Sequence, residues 1–161
     1  MKVENLIRVG EKGERIPESM SSDERRRLYP PLGIVKVVKL TWSLDGVEYS
    51  LDLEGGRVNY EMLPDRSGFL VTKPRVNGKT QAMVLNADSS IRYTLDNPWP
   101  THASYKVNQD YDFSLPLVER GQPGFVVSVS GVGPTGVFVN VDHFFAIDPN
   151  DGKFIGNHPL Y

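Results

Sequence analysis

At 161 residues, 39% of them hydrophobic, the chain is long enough to bury one core without a disulfide or a structural metal. Its 18 basic and 20 acidic residues leave a formal charge of -2, which argues against chain-wide attraction to nucleic acid or to an anionic membrane. The lack of cysteine excludes thiol nucleophiles, thiolate metal sites and disulfides and fits a reducing compartment. Met1 to Asn5 does not open an apolar leader, and no stretch approaches the roughly 18 apolar residues of a membrane span. The expected location is therefore the cytoplasm.

Residues 1 to 33 read as a charged arm lying on the surface. Within it, Asn5 to Val9 has the pattern of a short edge strand. Ser21 and Glu24 have capping-box spacing, Asp23 and Glu24 suit a first helical turn, and Arg25 to Arg27 suit a last one. A single short helix follows, ended by Tyr29-Pro30-Pro31. The three arginines are accounted for by the helix C-terminus, with phosphate binding as the alternative.

Residues 34 to 161 read as a single all-β domain. Asp45-Gly46 and Gly55-Gly56 are two-residue turn signals, and setting them as hairpin turns predicts a three-stranded antiparallel meander over Ile34 to Leu63. Leu44 then faces Val47, Trp42 faces Tyr49, Leu40 faces Leu51 and Val38 faces Leu53. Across the second turn, Leu53 faces Val58, Leu51 faces Tyr60 and Tyr49 faces Met62. The other parity sets Lys39 opposite Asp52 and Asn59, and Thr41 opposite Ser50 and Glu61, a polar face on which Lys39 and Glu61 are candidate partner contacts.

A second hairpin runs from Phe69 to Val76 and from Lys79 to Asn86. With Asn77-Gly78 as its loop, Val71 faces Val84, Leu70 faces Leu85 and Thr72 faces Met83. Both faces are largely apolar, which implies a strand pair covered on both sides, and Pro74 should mark a bulge or an edge. Ile91 to Leu95 extends the sheet. Further strands are expected over Phe113 to Glu119, Phe125 to Ser130 and Val137 to Ile147, with a turn at Gly121 to Gly124. A last strand over Lys153 to Ile155 comes before Pro159 ends regular structure.

The stretch Asp96 to Ser114 has no regular period and carries Trp99, His102, Tyr105 and Tyr111. Either these side chains plug the open end of the fold or they form a binding loop. Gly131-Val132-Gly133-Pro134-Thr135-Gly136 has dinucleotide-fingerprint spacing, but the alternating β-branched run after it gives no helix N-terminus, so it reads as a hairpin loop. His143 shares a parity with Val141 and Phe145, which points to a buried, hydrogen-bonded imidazole rather than a catalytic one. The histidines fit no metal-ligand spacing. Asp148 to Gly152 places its glycine one position early for a calcium loop and reads as a turn, and no serine lies in a G-x-S-x-G elbow. No metal or cofactor is expected.

The expected architecture is all-β, about nine or ten antiparallel strands in a two-sheet sandwich or a curved half-barrel, with one short N-terminal helix. In Asp88-Ser89-Ser90-Ile91-Arg92-Tyr93 and in Asp148 to Phe154, the chain resembles the turn-and-strand segments of small β-rich immunity proteins that accompany bacterial toxins. That resemblance implies a non-enzymatic cytoplasmic inhibitor that binds and occludes a toxin partner. Two alternatives stand beside it: a small-molecule binder with Trp99, Tyr105 and Tyr111 over its pocket, and an enzyme using His102 or His143 with a carboxylate. Exposed edge strands also leave a homodimer open.

Overall fold

Asp45 and Gly46 take φ of 50° and 79°, and this tight turn sets the register of the hairpin on either side of it. Strand β3 (Val37–Leu44) pairs with β4 (Val47–Asp52), with Leu44 opposite Val47, Trp42 opposite Tyr49, Leu40 opposite Leu51 and Lys39 opposite Asp52, as the turn chemistry predicts. The computed structural model describes residues 1–74, 77–132 and 135–160. Among them, β1 (Glu4–Gly10) and β2 (Arg15–Pro17) precede α1 (Ser22–Leu28), and β5 (Asn59–Met62), β6 (Gly68–Pro74), β7 (Thr80–Asn86) and β8 (Ile91–Leu95) follow the first hairpin. The chain then runs through β9 (Asp110–Glu119), β10 (Gln122–Val132), β11 (Phe138–Ile147) and β12 (Phe154–Leu160).

The strands form three four-stranded antiparallel sheets, ordered β2-β1-β3-β4, β5-β6-β7-β8 and β12-β11-β10-β9. Among the described residues the fold is thus all-β with one short α-helix, without a closed barrel, and with three sheets where two were expected. The β5 to β8 sheet is the middle layer. One of its faces contributes Phe69, Val71, Met83 and Leu85 to a core with Leu40, Trp42 and Leu44. Its other face contributes Leu70, Ala82, Val84 and Leu95 to a second core with Phe113, Phe125, Val127 and Phe145. The continuous apolar run of β6 therefore covers both sides of one strand. Fully burying a side chain of this size contributes about 1.5–3 kcal/mol.

Several expectations are corrected. After Leu53, the backbone turns through Gly55 (φ 70°) and Gly56 (φ 94°), and Val58 N–H donates to Leu53 O at 3.0 Å, so the second turn closes where it was placed. Beyond it β5 pairs with β6, not with β4: Tyr60 lies opposite Val71 and Glu61 opposite Leu70. Leu51 and Tyr60 still meet the same core, but across two layers instead of side by side. Lys39 and Glu61 consequently belong to different sheets.

The β6–β7 register differs by one residue from the expected one, with Leu70 opposite Val84 and Val71 opposite Met83. Pro74 pairs with Thr80, which lengthens the connection around Asn77-Gly78; Arg75 and Val76 within it lie outside the described residues. Between β9 and β10, Arg120 and Gly121 form the turn with positive φ, so it begins one residue before the Gly121 to Gly124 placement and ends three residues before it, with Gln122 and Pro123 already in β10. Gly133 and Pro134 of the glycine-rich loop lie outside the described residues, and the flanking pair Val132 with Phe138 joins antiparallel strands.

The helix forms as its caps predict, with the Ser21 hydroxyl accepting the Glu24 N–H at 3.1 Å. Strand β1, expected at an edge, lies between β2 and β3, and Val3 and Leu6 enter the first core. Arg66 donates to both carboxylate oxygens of Glu18 at 2.9 and 2.8 Å and to Val3 O at 2.9 Å, tying the N-terminal segment to the turn before β6. The Arg66 hydrogen bonds hold the Glu18 carboxyl below its ordinary value.

Candidate functional site

The aromatic stretch folds onto the open end between the middle and third sheets. Asn97 Oδ1 accepts the Trp99 N–H at 3.0 Å and starts a 3-10 turn over Trp99–Thr101, whose Thr101 hydroxyl donates back to Pro98 O at 2.8 Å. This turn drives Trp99 inward to 3% exposure, where its indole N–H donates to Gln109 Oε1 at 3.0 Å. The Trp99 ring stacks on His102 at 4.7 Å and 11° and meets the His143 ring at 5.6 Å. Trp99 is a plug in the second core. Tyr105 and Tyr111 pack edge to face at 6.1 Å beside that core, and the Lys79 ammonium donates to Tyr111 O at 3.0 Å.

Two of the three histidines converge on one acceptor. His102 and His143 place Nε2 at 3.1 and 2.9 Å from Asn157 Oδ1. The Ser104 N–H donates to His102 Nδ1 at 3.1 Å, which puts the proton of the neutral ring on Nε2 and makes it a donor to Asn157. The carboxamide oxygen thus receives both imidazoles. Asn157 was not legible as a site residue, because Pro159 was expected to end regular structure, whereas β12 continues through it: Pro159 pairs with His143 and Asn157 with Phe145.

His143 is 7% exposed. Burial pushes its pKa below the ordinary imidazole value, opposed by the Asn157 hydrogen bond and assisted by the nearby His102 and His158. The uncharged ring is the folded form, so the unfolded chain binds more protons once the pH drops below the ordinary value of 6.5. Stability is complete above that pH and falls as the pH is lowered toward the depressed folded pKa. Urea unfolding at pH 7.5, 6.5 and 5.5, values chosen to span about one unit either side of an ordinary imidazole, should show this decline, and it should flatten in His143→Gln. An equal decline in the variant would show that His143 is not its source.

His158 faces the other side of the third sheet. Its Nε2 lies 2.6 Å from Glu119 Oε2, and its ring sits over Phe144 at 5.4 Å. Glu119 comes from β9 and His158 from β12, so this contact joins the two edge strands of one sheet. An open groove of about 350 Å³ passes His102, Phe145, Phe154 and Asn157. The described residues contain no group of three or more His, Cys, Asp or Glu arranged to hold a metal.

The two segments that carried the family resemblance touch each other. Arg92 donates to Asn86 Oδ1 at 2.7 Å, to Pro149 O at 2.9 Å and to Ser67 O at 3.1 Å. The Tyr93 hydroxyl donates to Asp148 O at 3.2 Å, and burial pushes the phenol up to about 12. Gly152, at φ 75°, lies so close to the Tyr93 ring that a Cβ would stand 2.9 Å from it. The segments clasp the middle sheet to the third.

Of the remaining sequence candidates, Lys39 is exposed on the outer face of the first sheet and Glu61 on edge strand β5. Desolvation raises the Glu61 carboxyl above its ordinary value.

No family model matches the chain, and no curated protein matches it by sequence. Its fold is similar to that of a chain in the structure of Tne2 in complex with Tni2, with a TM-score of 0.62, 17% identity and 99% of each chain covered. At this identity the likeness is one of fold.

Proposed function

We propose that this chain is a non-enzymatic protein-binding module, an inhibitor of the immunity type that occludes a toxin partner in the cytoplasm. The observation that carries the reading is that 99% of the chain shares its fold with a chain solved in a complex of two proteins. The chemistry of the histidines supports it. His102 and His143 spend Nε2 on Asn157, and His158 is held against Glu119, so each imidazole has a structural assignment. Among the described residues no helix is long and apolar enough to cross a membrane.

Native mass spectrometry of the chain purified at low salt from its own source tests the reading. The expected result is a stoichiometric protein companion whose activity is suppressed when the chain is restored to it. A bare chain, or a companion whose activity the chain leaves unchanged, overturns the proposal. Lys39→Glu and Glu61→Lys then report on two separate surfaces, because the residues lie on different sheets. The variant that weakens the complex at unchanged melting temperature marks the contact face, and unchanged affinity in both removes both faces.

A further inference from the structure

The three sheets leave edges of unequal character. Strand β2 has three residues and ends in Pro17, and β5 has four. Strand β12 carries Pro159 and a register shift, β9 carries Pro116 and a register shift, and β8 has a register shift against β7. Short length, proline and bulges are the devices that blunt an edge. Strand β4 has none of them: it runs for six residues in unbroken register with β3.

The pleat determines what β4 offers. A two-residue turn makes Leu44 and Val47 a hydrogen-bonded pair, so Trp42/Tyr49 and Leu40/Leu51 are hydrogen-bonded pairs too. The Leu53 N–H donates to Val38 O at 2.9 Å, which continues this alternation. The N–H and C=O of Glu48, Ser50 and Asp52 therefore point away from β3, along the free edge.

Below that edge lies a partly apolar shelf, which Asp52, Glu54 and Lys73 also line. The Trp42 ring meets Phe69 at 4.8 Å, which places β3 over β6. A groove of about 300 Å³ runs beneath β4 with Leu51, Val71, Met83, Leu85 and Ile91 in its lining, which places β4 over β7. At the far side of this groove, on β8, Ile91 is 57% exposed. A fifth strand added beside β4 would cover this position. The segment from Asp45 to Glu54 contains Asp45, Glu48, Asp52 and Glu54 and no Lys or Arg. Two copies of the chain pairing through β4 would set acids against acids.

From these observations we infer that β4 is the docking edge for an extended, basic segment of the partner protein, which adds to the first sheet as a fifth strand. Its alternate side chains are apolar and enter the groove above Met83, Leu85 and Ile91, where Glu54 also lies, while the others carry Lys or Arg toward Glu48. Backbone hydrogen bonds to Glu48, Ser50 and Asp52 supply the pairing. This inference rests on the protein-binding reading.

The test uses an acetylated, amidated peptide of alternating valine and lysine, with a valine and glutamate peptide as control. The lysine peptide should bind saturably and slow hydrogen exchange at the amides of Glu48, Ser50 and Asp52, while the control should not bind. Ser50→Pro removes one outward N–H that no strand of this chain uses, and it should abolish binding at an unchanged melting temperature. Glu48→Lys with Glu54→Lys, which leaves the backbone donors intact, should weaken binding about tenfold and reduce its salt dependence. No saturable binding, protection at a different strand, equal affinity in Ser50→Pro, or protection of β4 by self-association without peptide each overturns the inference. A companion isolated with the chain that binds Ser50→Pro as tightly as the unaltered chain overturns the edge while the protein-binding reading stands. Failure to find any companion overturns that reading instead.

Discussion

Replacing Trp99 with alanine should lower the unfolding free energy by about 3–5 kcal/mol, because the indole is 3% exposed and fills the end of the second core. The loss has two parts. Removing the ring leaves a cavity among His143, Phe145 and the strands beneath, and it also removes one of the two N–H groups that Gln109 Oε1 accepts, the other being that of Lys106. Trp99→Phe separates them: it keeps an aromatic plug, loses the Gln109 bond while the Lys106 N–H still serves that oxygen, and should cost about 0.5–1.5 kcal/mol beyond any loss from its smaller ring. Urea unfolding of both variants is the measurement. His102 should respond as well, since it stacks directly on the indole, and its imidazole proton resonances should shift in Trp99→Ala. A mobile lid over a ligand pocket would behave differently, with an alanine cost within about 0.5 kcal/mol, the range of surface substitutions. That small cost would return Trp99 to the binding-loop reading.

How much of the fold was legible depended on whether an alternation had one solution or two. The β3–β4 register was fully specified, because Asp45-Gly46 admits only a tight turn and a slip would move Lys39 and Asp52 into the core. The partner of β5 was not. Alternating Leu51 and Tyr60 satisfy their burial either side by side in one sheet or face to face across two, and the period of 2 is the same in both cases. The chain takes the second solution, since β6 is apolar on both faces and needs a layer on each. The same double-sided burial explains the β6–β7 slip: with no polar face to penalise it, the hydrophobic pattern does not choose between registers one residue apart.

The candidate site was legible as a list of aromatic residues and illegible as an arrangement. His143 was read correctly as buried from its parity with Phe145. Its partner lay out of reach of that argument, because Asn157 is an ordinary polar residue ahead of a proline. Pro159 is tolerated since β12 is an edge strand, where a missing N–H faces solvent. The docking edge was hidden for a related reason. An edge is a property of sheet order, and β4 becomes one only because β5 departs to the middle sheet.

Replacing Gly68 with alanine should destabilise the protein by at least about 3 kcal/mol, although it adds a single methyl group. Gly68 opens β6 opposite Asn86, and its carbonyl accepts the Leu63 N–H at 3.0 Å. A Cβ at this position would overlap the carbonyl oxygen of Leu85 and stand 2.9 Å from the Leu85 carbonyl carbon and 3.1 Å from Asn86 Cα. These are backbone atoms in a ladder, so no side chain can move aside to make room. The strands must separate at the pair next to Phe69 and Leu85, in the layer that serves both cores. Gly156→Ala is the matched control, because it lies on exposed β12 with nothing within 4 Å of an added Cβ. The control should stay within about 0.5 kcal/mol of the unaltered chain. Urea unfolding with hydrogen exchange at the Leu85 and Val84 amides reads both variants. A Gly68→Ala chain as stable as the control would mean that β6 and β7 do not approach this closely, and the placement of the middle sheet between its two neighbours would have to be redrawn.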